Sequence, residues 1–295
     1  KKGLIMKIVI IGASGLLGSH LVPRLLSSEK EIFSIGRASN NDFICDAINS
    51  EELNKILSKI QPNIILNLVA MTDVDYCEKN PNYAFIVNTK IVENIVSWVE
   101  SFSQECHLIQ ISTDQVYDSK GPHVENNISL TNYYAFSKYA GELIASRVPS
   151  TILRTNFFGR SECYGKVSFT DWLYKNFLAK ENFFLFDDVF FSPLSMESLY
   201  EIILSLLSLR PQGIYNLGSR DGLSKSDFAI LFASRLNIDI SHATILSIDD
   251  VDFLCAYRPK DMRMNVSKIE DRLNLTLPTL KDEIYKEIGE KYENT

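Results

Sequence analysis

The sequence predicts an α/β protein: a doubly wound parallel sheet with a smaller, partly interleaved C-terminal part. Three observations predict it. Short continuous runs rich in Ile, Val and Leu alternate with amphipathic stretches through the first half, as strands covered on both faces require. Gly12, Gly15 and Gly18 follow the first of these runs at even spacing. After residue 156 the alternation breaks.

The elements follow in order. KIVIIG (7–12) reads as a buried strand and GLLGSHLVPRLLSS (15–28) as a helix. EIFSIG (31–36) is the second strand, and SEELNKILSKI (50–60) a helix with Ser50 as its N-cap. NIILNLVA (63–70) is the third strand, followed by a long helical stretch near 81–101. HLIQIST (107–113) is the fourth, followed by a loop and a helix from about 132, and TILRTN (151–156) is the fifth. Strand–helix alternation of this kind gives a doubly wound sheet. Beyond it, NFFGRSECYGKVS reads as loop, FTDWLYKNFLAK as helix and ENFFLF as strand, the last packing in a core or in a second sheet. SMESLYEIILSLLSL is an amphipathic helix whose apolar stripe fits a core or a homodimer surface. GIYNLGS reads as strand and SKSDFAILFASRL as helix.

Composition narrows the function. The 295 residues suit one or two domains at roughly 150 residues each. A formal charge of −7 and 45% hydrophobic content fit a soluble globular chain. No basic stripe interleaved with aromatics supports nucleic-acid binding. No apolar run reaches the ~20 residues of a membrane span. The five cysteines are scattered without a CxxC pair, and the four histidines are isolated. Reduced thiols, structural histidines and no metal site are therefore expected. KKGLIMKIVI lacks the apolar segment and cleavage site of a signal peptide, so Met6 reads as the natural start and the location as cytoplasmic.

The glycines answer a specific need. A dinucleotide pyrophosphate wants a tight turn, close backbone approach and a helix N-terminus aimed at it. Gly12 would make the turn, Gly15 would admit the phosphates and Gly18 would let helix and strand pack. Ser14, Leu16 and Leu17 belong to the same cofactor-binding turn, which makes the sheet Rossmann-like. Arg37 ends the second strand in SIGR, where a carboxylate would take a ribose 2′-hydroxyl and an arginine suits a 2′-phosphate. NADP(H) is thus the preferred cofactor, with NAD(H) possible. Asp46 in CDAINS is either an adenine-edge contact or a turn cap.

The chemistry lies in NYYAFSKYAGE. Tyr134 and Lys138 are one helical turn apart and share a face. An ammonium beside a phenol stabilises the phenolate and lowers a pKa that starts at about 10, giving a usable proton donor or acceptor. Thr113 closes the fourth strand in QISTDQVYD, at the sheet edge where ligands bind. Its hydroxyl suits a carbonyl oxygen, and its alternative is a helix or turn cap.

GASGLLG, NLVA, STD and YAFSK, in this order, resemble the extended short-chain dehydrogenase/reductases. AMTDVDYCE, VNT around Asn88, LRT at 153–155 and the late YRPKDMRMNVSK extend the resemblance to the dTDP-4-dehydrorhamnose reductase group over nearly the whole chain, weakening between 157 and 190. The resemblance implies a dinucleotide-binding domain at 6–156, also receiving 193–220, and a substrate-binding domain at 157–192 and 221–295. It implies Tyr134 as proton donor to a sugar C4 oxygen, Lys138 on the nicotinamide ribose, and Thr113 on the substrate carbonyl, helped by Asp114. Asn67, Val69 and Ala70 would line the cofactor cleft and Thr155 would lie near the nicotinamide. Pro193 and Arg258 would stand on the substrate side, the arginine toward a nucleotide diphosphate. The segment NFFGRSECYGKVSF should border the substrate.

The resemblance therefore implies an NADPH-dependent reductase of a 4-keto-6-deoxy sugar nucleotide in deoxysugar or cell-surface polysaccharide biosynthesis. Gln115 stands where dehydratases of the family carry a proton-shuttling glutamate, which argues against dehydration. Two alternatives stay open: an epimerase of the same superfamily, for which no dedicated base is identified, and a non-catalytic subunit that keeps the fold, like the regulatory subunit of methionine adenosyltransferase.

Overall fold

A computed structural model describes residues 6–26 and 30–292. The expectation about residues 1–5, and the last two positions of the first predicted helix, fall outside the described residues.

The chain runs through β1 (Lys7–Ile11), α1 (Leu16–Leu26), β2 (Glu31–Gly36), β3 (Phe43–Ile44), α2 (Ser50–Ile60), β4 (Ile64–Asn67), α3 (Val74–Lys79) and α4 (Pro81–Phe85). A π-helical turn (Ile86–Lys90) leads into α5 (Ile91–Phe102), β5 (His107–Thr113), a 3₁₀ turn (Asp114–Val116), α6 (Tyr133–Ala145) and β6 (Ser150–Thr155). Then come β7 (Phe157–Phe158), α7 (Phe169–Ala179), β8 (Phe183–Phe186), β9 (Phe190–Phe191), β10 (Leu194–Ser195) and α8 (Met196–Leu209). β11 (Gly213–Leu217), β12 (Leu223–Ser224), α9 (Lys225–Arg235), β13 (Ala243–Leu246), α10 (Ser267–Leu273) and α11 (Leu280–Lys291) complete it.

Seven strands form one parallel sheet in the order β11-β6-β5-β4-β1-β2-β3. The chain leaves β1 toward β2 and returns on the other side at β4, so the order reverses between β1 and β4. Such a switch point opens a crevice at the carboxyl ends of the strands. In register, Ile11 lies between Ile35 of β2 and Asn67 of β4, and Asn67 is opposite Gln110 of β5. The predicted Rossmann-like sheet is thus present, and the strands expected at 7–12, 31–36, 63–70, 107–113 and 151–156 are its members.

One local reading needs correction. The cap of α2 is Asn49, whose side chain accepts from Glu52 N–H at 3.2 Å, and Ser50 is already the first helical residue. The helical stretch expected near 81–101 is present from Pro81 to Phe102, with a π-turn inside it that carries Asn88; π-turns of this kind cluster at functional sites. The stripe on α8 resolves to core, with Met196, Leu199, Ile203, Leu206 and Leu207 buried.

By compactness the chain divides into two units. The first holds Lys1–Ser112, Tyr133–Leu153 and Ile202–Ile214; the second holds Thr113–Asn132, Arg154–Glu201 and Tyr215–Thr295. The segments 113–132 and 154–156, expected with the dinucleotide-binding part, group with the second unit. Of the 193–220 return only Ile202–Ile214 joins the first. The core of the first unit packs aliphatic strand residues around Trp98, and that of the second packs Phe158, Phe177, Phe183, Phe191, Phe228 and Phe232. Among the described residues no helix is long and apolar enough to cross a membrane.

Candidate active site

The glycine turn of the first unit is built as a cradle. Gly12 has a φ of +87°, a left-handed conformation that favours glycine. A Cβ there would stand 3.0 Å from Val69 N, and one on Gly18 would stand 2.4 Å from Ala13 O. Both glycines are therefore dictated by the chain itself. Gly15 differs: an added Cβ would meet only Gly12 O, at 3.2 Å, so the chain itself hardly needs a glycine there. Bare backbone at the start of α1 is what a pyrophosphate requires. Leu17 is buried, so only its main chain is available to a ligand, while Ser14 and Leu16 are half-buried.

Two asparagines shape the far side of the same crevice. Asn67 donates to Gln110 Oε1 at 2.8 Å and accepts from Val69 N–H at 3.2 Å, which turns the chain after β4. Asn88 accepts from Met71 N–H at 2.8 Å and donates to Met71 O at 3.1 Å and Ser137 Oγ at 2.9 Å. The π-turn thereby ties the strand-end loop to α6. Val69 and Ala70 are half-buried between these anchors. Arg37 is exposed just past β2. Asp46 accepts from Ile48 N–H at 3.1 Å and so does act as a turn cap.

On α6, Tyr134, Lys138 and Glu142 recur every fourth residue and are all buried, so they share one helix face. Lys138 Nζ donates to Ile111 O at 2.7 Å. Burial pulls its pKa down to about 8, against the opposing pull of the Glu142 charge. Glu142 in turn accepts from Ser112 Oγ. Sequence reasoning passed over Glu142, although its spacing from Lys138 repeats that of Lys138 from Tyr134.

In the second unit, Thr113 takes the capping role that the sequence allowed as its alternative. It ends β5, and its hydroxyl caps the 3₁₀ turn by accepting from Gln115 N–H at 3.2 Å while donating to Asp114 Oδ1 at 3.3 Å. Asp114 is buried and receives Asn156 Nδ2 at 2.8 Å. Burial raises its pKa to about 6, opposed by the Asn156 hydrogen bond, the Lys225 charge and the Thr113 hydroxyl. Beside this group lies a cavity of about 300 Å³. Its apolar wall includes Phe169, Trp172, Phe184 and Phe186, and its polar wall Gln115, Asn156, Lys225 and Arg258. An apolar pocket with a few convergent polar groups is the usual form of a small-molecule site. β8 meets both expectations for ENFFLF: Phe183 and Leu185 pack in the core and the strand pairs with β13 in a small sheet, while Phe184, Leu185 and Phe186 also line the cavity.

Of the residues expected on the substrate side, Arg258 lines this cavity and Pro193 does not; the proline is buried between β9 and β10. The segment expected to border the substrate, NFFGRSECYGKVSF, does so through its two ends, Asn156 and Phe169, while none of its residues between 157 and 168 lines the cavity. Thr155 is buried at the end of β6. Lys225 was not legible as a site residue, because only the folded chain brings it to the same wall as Asn156. His107 and His123 have structural partners, Thr151 Oγ1 and Asp261 O, each at 2.8 Å.

Comparisons with known proteins agree with this fold. The family model described as RmlD substrate binding domain matches residues 6–292. The probable low-salt glycan biosynthesis reductase Agl14 of Haloferax volcanii is 27% identical over 93% of this chain and 95% of its own. The crystal structure of dTDP-4-dehydrorhamnose reductase from Bacillus anthracis in complex with NADP superimposes with a TM-score of 0.87 at 25% identity, covering 98% of this chain and 100% of that one. A hypothetical dTDP-4-dehydrorhamnose reductase from Sulfolobus tokodaii reaches 31% identity and a TM-score of 0.82, over 94% and 99% of the two chains. The chain belongs to the RmlD substrate binding domain family, within the extended short-chain dehydrogenase/reductases.

Proposed function

We propose that this protein is an NADPH-dependent reductase of a 4-keto-6-deoxy sugar nucleotide, able also to use NADH, and that it works in the cytoplasm in deoxysugar or cell-surface polysaccharide biosynthesis. The observation that carries the reading is the face of α6: a buried tyrosine one turn before a buried lysine whose ammonium is fixed on Ile111 O. The glycine cradle supports a dinucleotide, since Gly15 leaves open the space a pyrophosphate needs. When bound there, a reduced nicotinamide supplies the hydride. The similarity to reductases of glycan and dTDP-sugar biosynthesis supports the substrate class.

The remaining work falls to the chain. The sugar carbonyl accepts a hydrogen bond from Thr113 Oγ1, whose proton otherwise goes to Asp114. Tyr134 delivers its phenolic proton to the C4 oxygen as hydride reaches the carbon. Lys138 stabilises the phenolate left behind, and Glu142 favours the charged form of Lys138. Gln115 has an amide where a dehydratase would need a carboxyl group, and an amide cannot relay a proton.

Single-turnover NADPH oxidation with dTDP-linked 4-keto-6-deoxyhexoses tests the reading. Tyr134→Phe should cut turnover by about 10²–10⁴-fold, the usual worth of general acid catalysis, with NADPH affinity retained. Because Lys138 titrates near pH 8, kcat/KM should fall as the pH rises through that value and the ammonium is lost. Lys138→Arg should remove this inflection. Near-wild-type turnover in Tyr134→Phe sinks the mechanism; a wild type that binds NADPH yet reduces no sugar nucleotide moves the assignment to the non-catalytic subunit.

A further inference from the structure

Lys225 is a cation held where the local structure disfavours one. It is the first residue of α9, and positive charge in a first turn opposes the helix dipole. Its main-chain N–H is committed to Val189 O at 2.9 Å. Its ammonium has no hydrogen-bond acceptor among the described residues. It rests instead 3.3 Å from the centroid of the Phe191 ring and 4.3 Å from that of Phe169, contacts that hold a cation without using its N–H donors in directed bonds. The side chain forms part of the cavity wall.

Its balancing charge is Asp114, and the same carboxylate fixes Asn156. An ionised carboxylate only accepts, so the amide that meets it at 2.8 Å must turn its NH₂ toward Asp114. The Asn156 carbonyl oxygen is then the atom left for the cavity side. One wall therefore offers a donor, Lys225 Nζ, and an acceptor, Asn156 Oδ1. An alcohol is the simple group that needs both, since its oxygen accepts and its hydrogen donates. Phe169 and Trp172 on the adjoining wall suit the C–H faces of a sugar ring.

We propose that Lys225 and Asn156 form a hydroxyl-reading pair for the hexose of the sugar nucleotide, and that Lys225 is a substrate-binding residue. The inference rests on the sugar-nucleotide reading above and assigns it a subsite. Asp114 is the link: it neutralises Lys225, orients Asn156 and receives the Thr113 hydroxyl. The hexose would thus be read by groups tied to the same carboxylate as the residue assigned to its carbonyl.

The test is Lys225→Met, with Lys225→Arg beside it, in the full chain. Readouts are kcat/KM for a dTDP-linked 4-keto-6-deoxyhexose, the Kd of dTDP alone, the Kd of NADPH and the thermal midpoint. Lys225→Met should lower kcat/KM at least tenfold and leave both Kd values within about twofold; Lys225→Arg should recover part of the loss. An equal weakening of dTDP places the ammonium on the diphosphate and overturns the hexose assignment. Unchanged kcat/KM in a folded Lys225→Met overturns it outright, with the function of the wild type intact. If Lys225→Met does not fold, deoxy analogues of the hexose decide with wild type and Lys225→Arg. Removal of one hydroxyl should cost the wild type more than the arginine variant, and equal costs refute the pair. A wild type inactive on every sugar nucleotide removes the parent reading and this inference with it.

Discussion

The two units solve packing differently. In the first, Val9, Ile11, Ile35 and Ile65 of regular strands pack on Ile91, Ile95 and Trp98 of a helix. Branched aliphatic side chains fit a pleated surface and favour long, even strands. In the second, rings interlock: Phe158 meets Phe228 edge-on at 5.1 Å, and Phe191 meets Phe228 at 5.5 Å and Phe169 at 5.7 Å. Large rings can bridge uneven gaps, and here they hold strand pairs only two residues long. Polar ties do the rest of the work. The buried Arg154 donates to Tyr117 Oη at 2.8 Å and Glu125 O at 2.6 Å, and Tyr117 donates to Asn216 Oδ1 at 2.7 Å. The first unit combines the main chain of its glycine turn with the side chains of one helix, Tyr134 and Lys138; the second gathers its side chains from distant parts of the sequence.

The comparison can be broken at the cores, where the largest effects are expected. Trp98→Ala and Phe228→Ala each delete a fully buried ring and should each cost about 3–5 kcal/mol. If the units are separate in stability, hydrogen exchange should quicken mainly in the unit that carries the change. Uniform quickening across all core amides from either variant would show one cooperative block and remove the distinction.

This difference also explains what the sequence could disclose. A site made of main chain leaves a linear trace, because Gly12, Gly15 and Gly18 must be glycines at fixed spacing. The pair Tyr134 and Lys138 is legible for the same reason, since one helix sets their geometry. The cavity has no such trace. Arg258 and the segment that opens with Asn156 were expected beside the substrate from the family resemblance alone, Lys225 joins their wall only through the fold, and short pairs such as β9 with β12 carry no periodic signal. Asn49 rather than Ser50 caps α2 because the two neighbours are both good caps, and the fold decides between them. The π-turn at Asn88 was invisible to a period-based reading of the helix.

A middle-sized effect sharpens the contrast between a glycine the fold needs and one the ligand needs. Gly15→Val brings a branched side chain to a point where the protein offers only Gly12 O at 3.2 Å. The variant should fold, and its NADPH affinity should fall tenfold or more, about 1.4 kcal/mol. Fluorescence titration of NADPH with a parallel thermal melt checks both halves. Loss of stability with unchanged affinity would make Gly15 a structural glycine like Gly18 and remove the cradle.

The smallest effect is expected at Arg37, where recognition passes from the main chain of the glycine turn to an exposed side chain. The residue is exposed just beyond Gly36 and makes no hydrogen bond or ion pair among the described residues, so its removal should leave stability within about 0.5 kcal/mol. The next acidic residue after β2, Asp42, has one carboxylate oxygen already committed. Its Oδ2 already accepts Ser34 N–H at 2.8 Å and Ser34 Oγ at 2.7 Å. A guanidinium with no committed partner, followed in sequence by a carboxylate already bound to Ser34, suits a 2′-phosphate, and a charge-assisted hydrogen bond at an exposed site is worth about 1–2 kcal/mol. Arg37→Ala should therefore weaken NADPH by about five- to tenfold and leave NADH unchanged, and added salt should narrow the gap by screening the pair. Equal losses for both cofactors would place Arg37 on the shared part of the dinucleotide, and a wild type that prefers NADH would overturn the 2′-phosphate assignment.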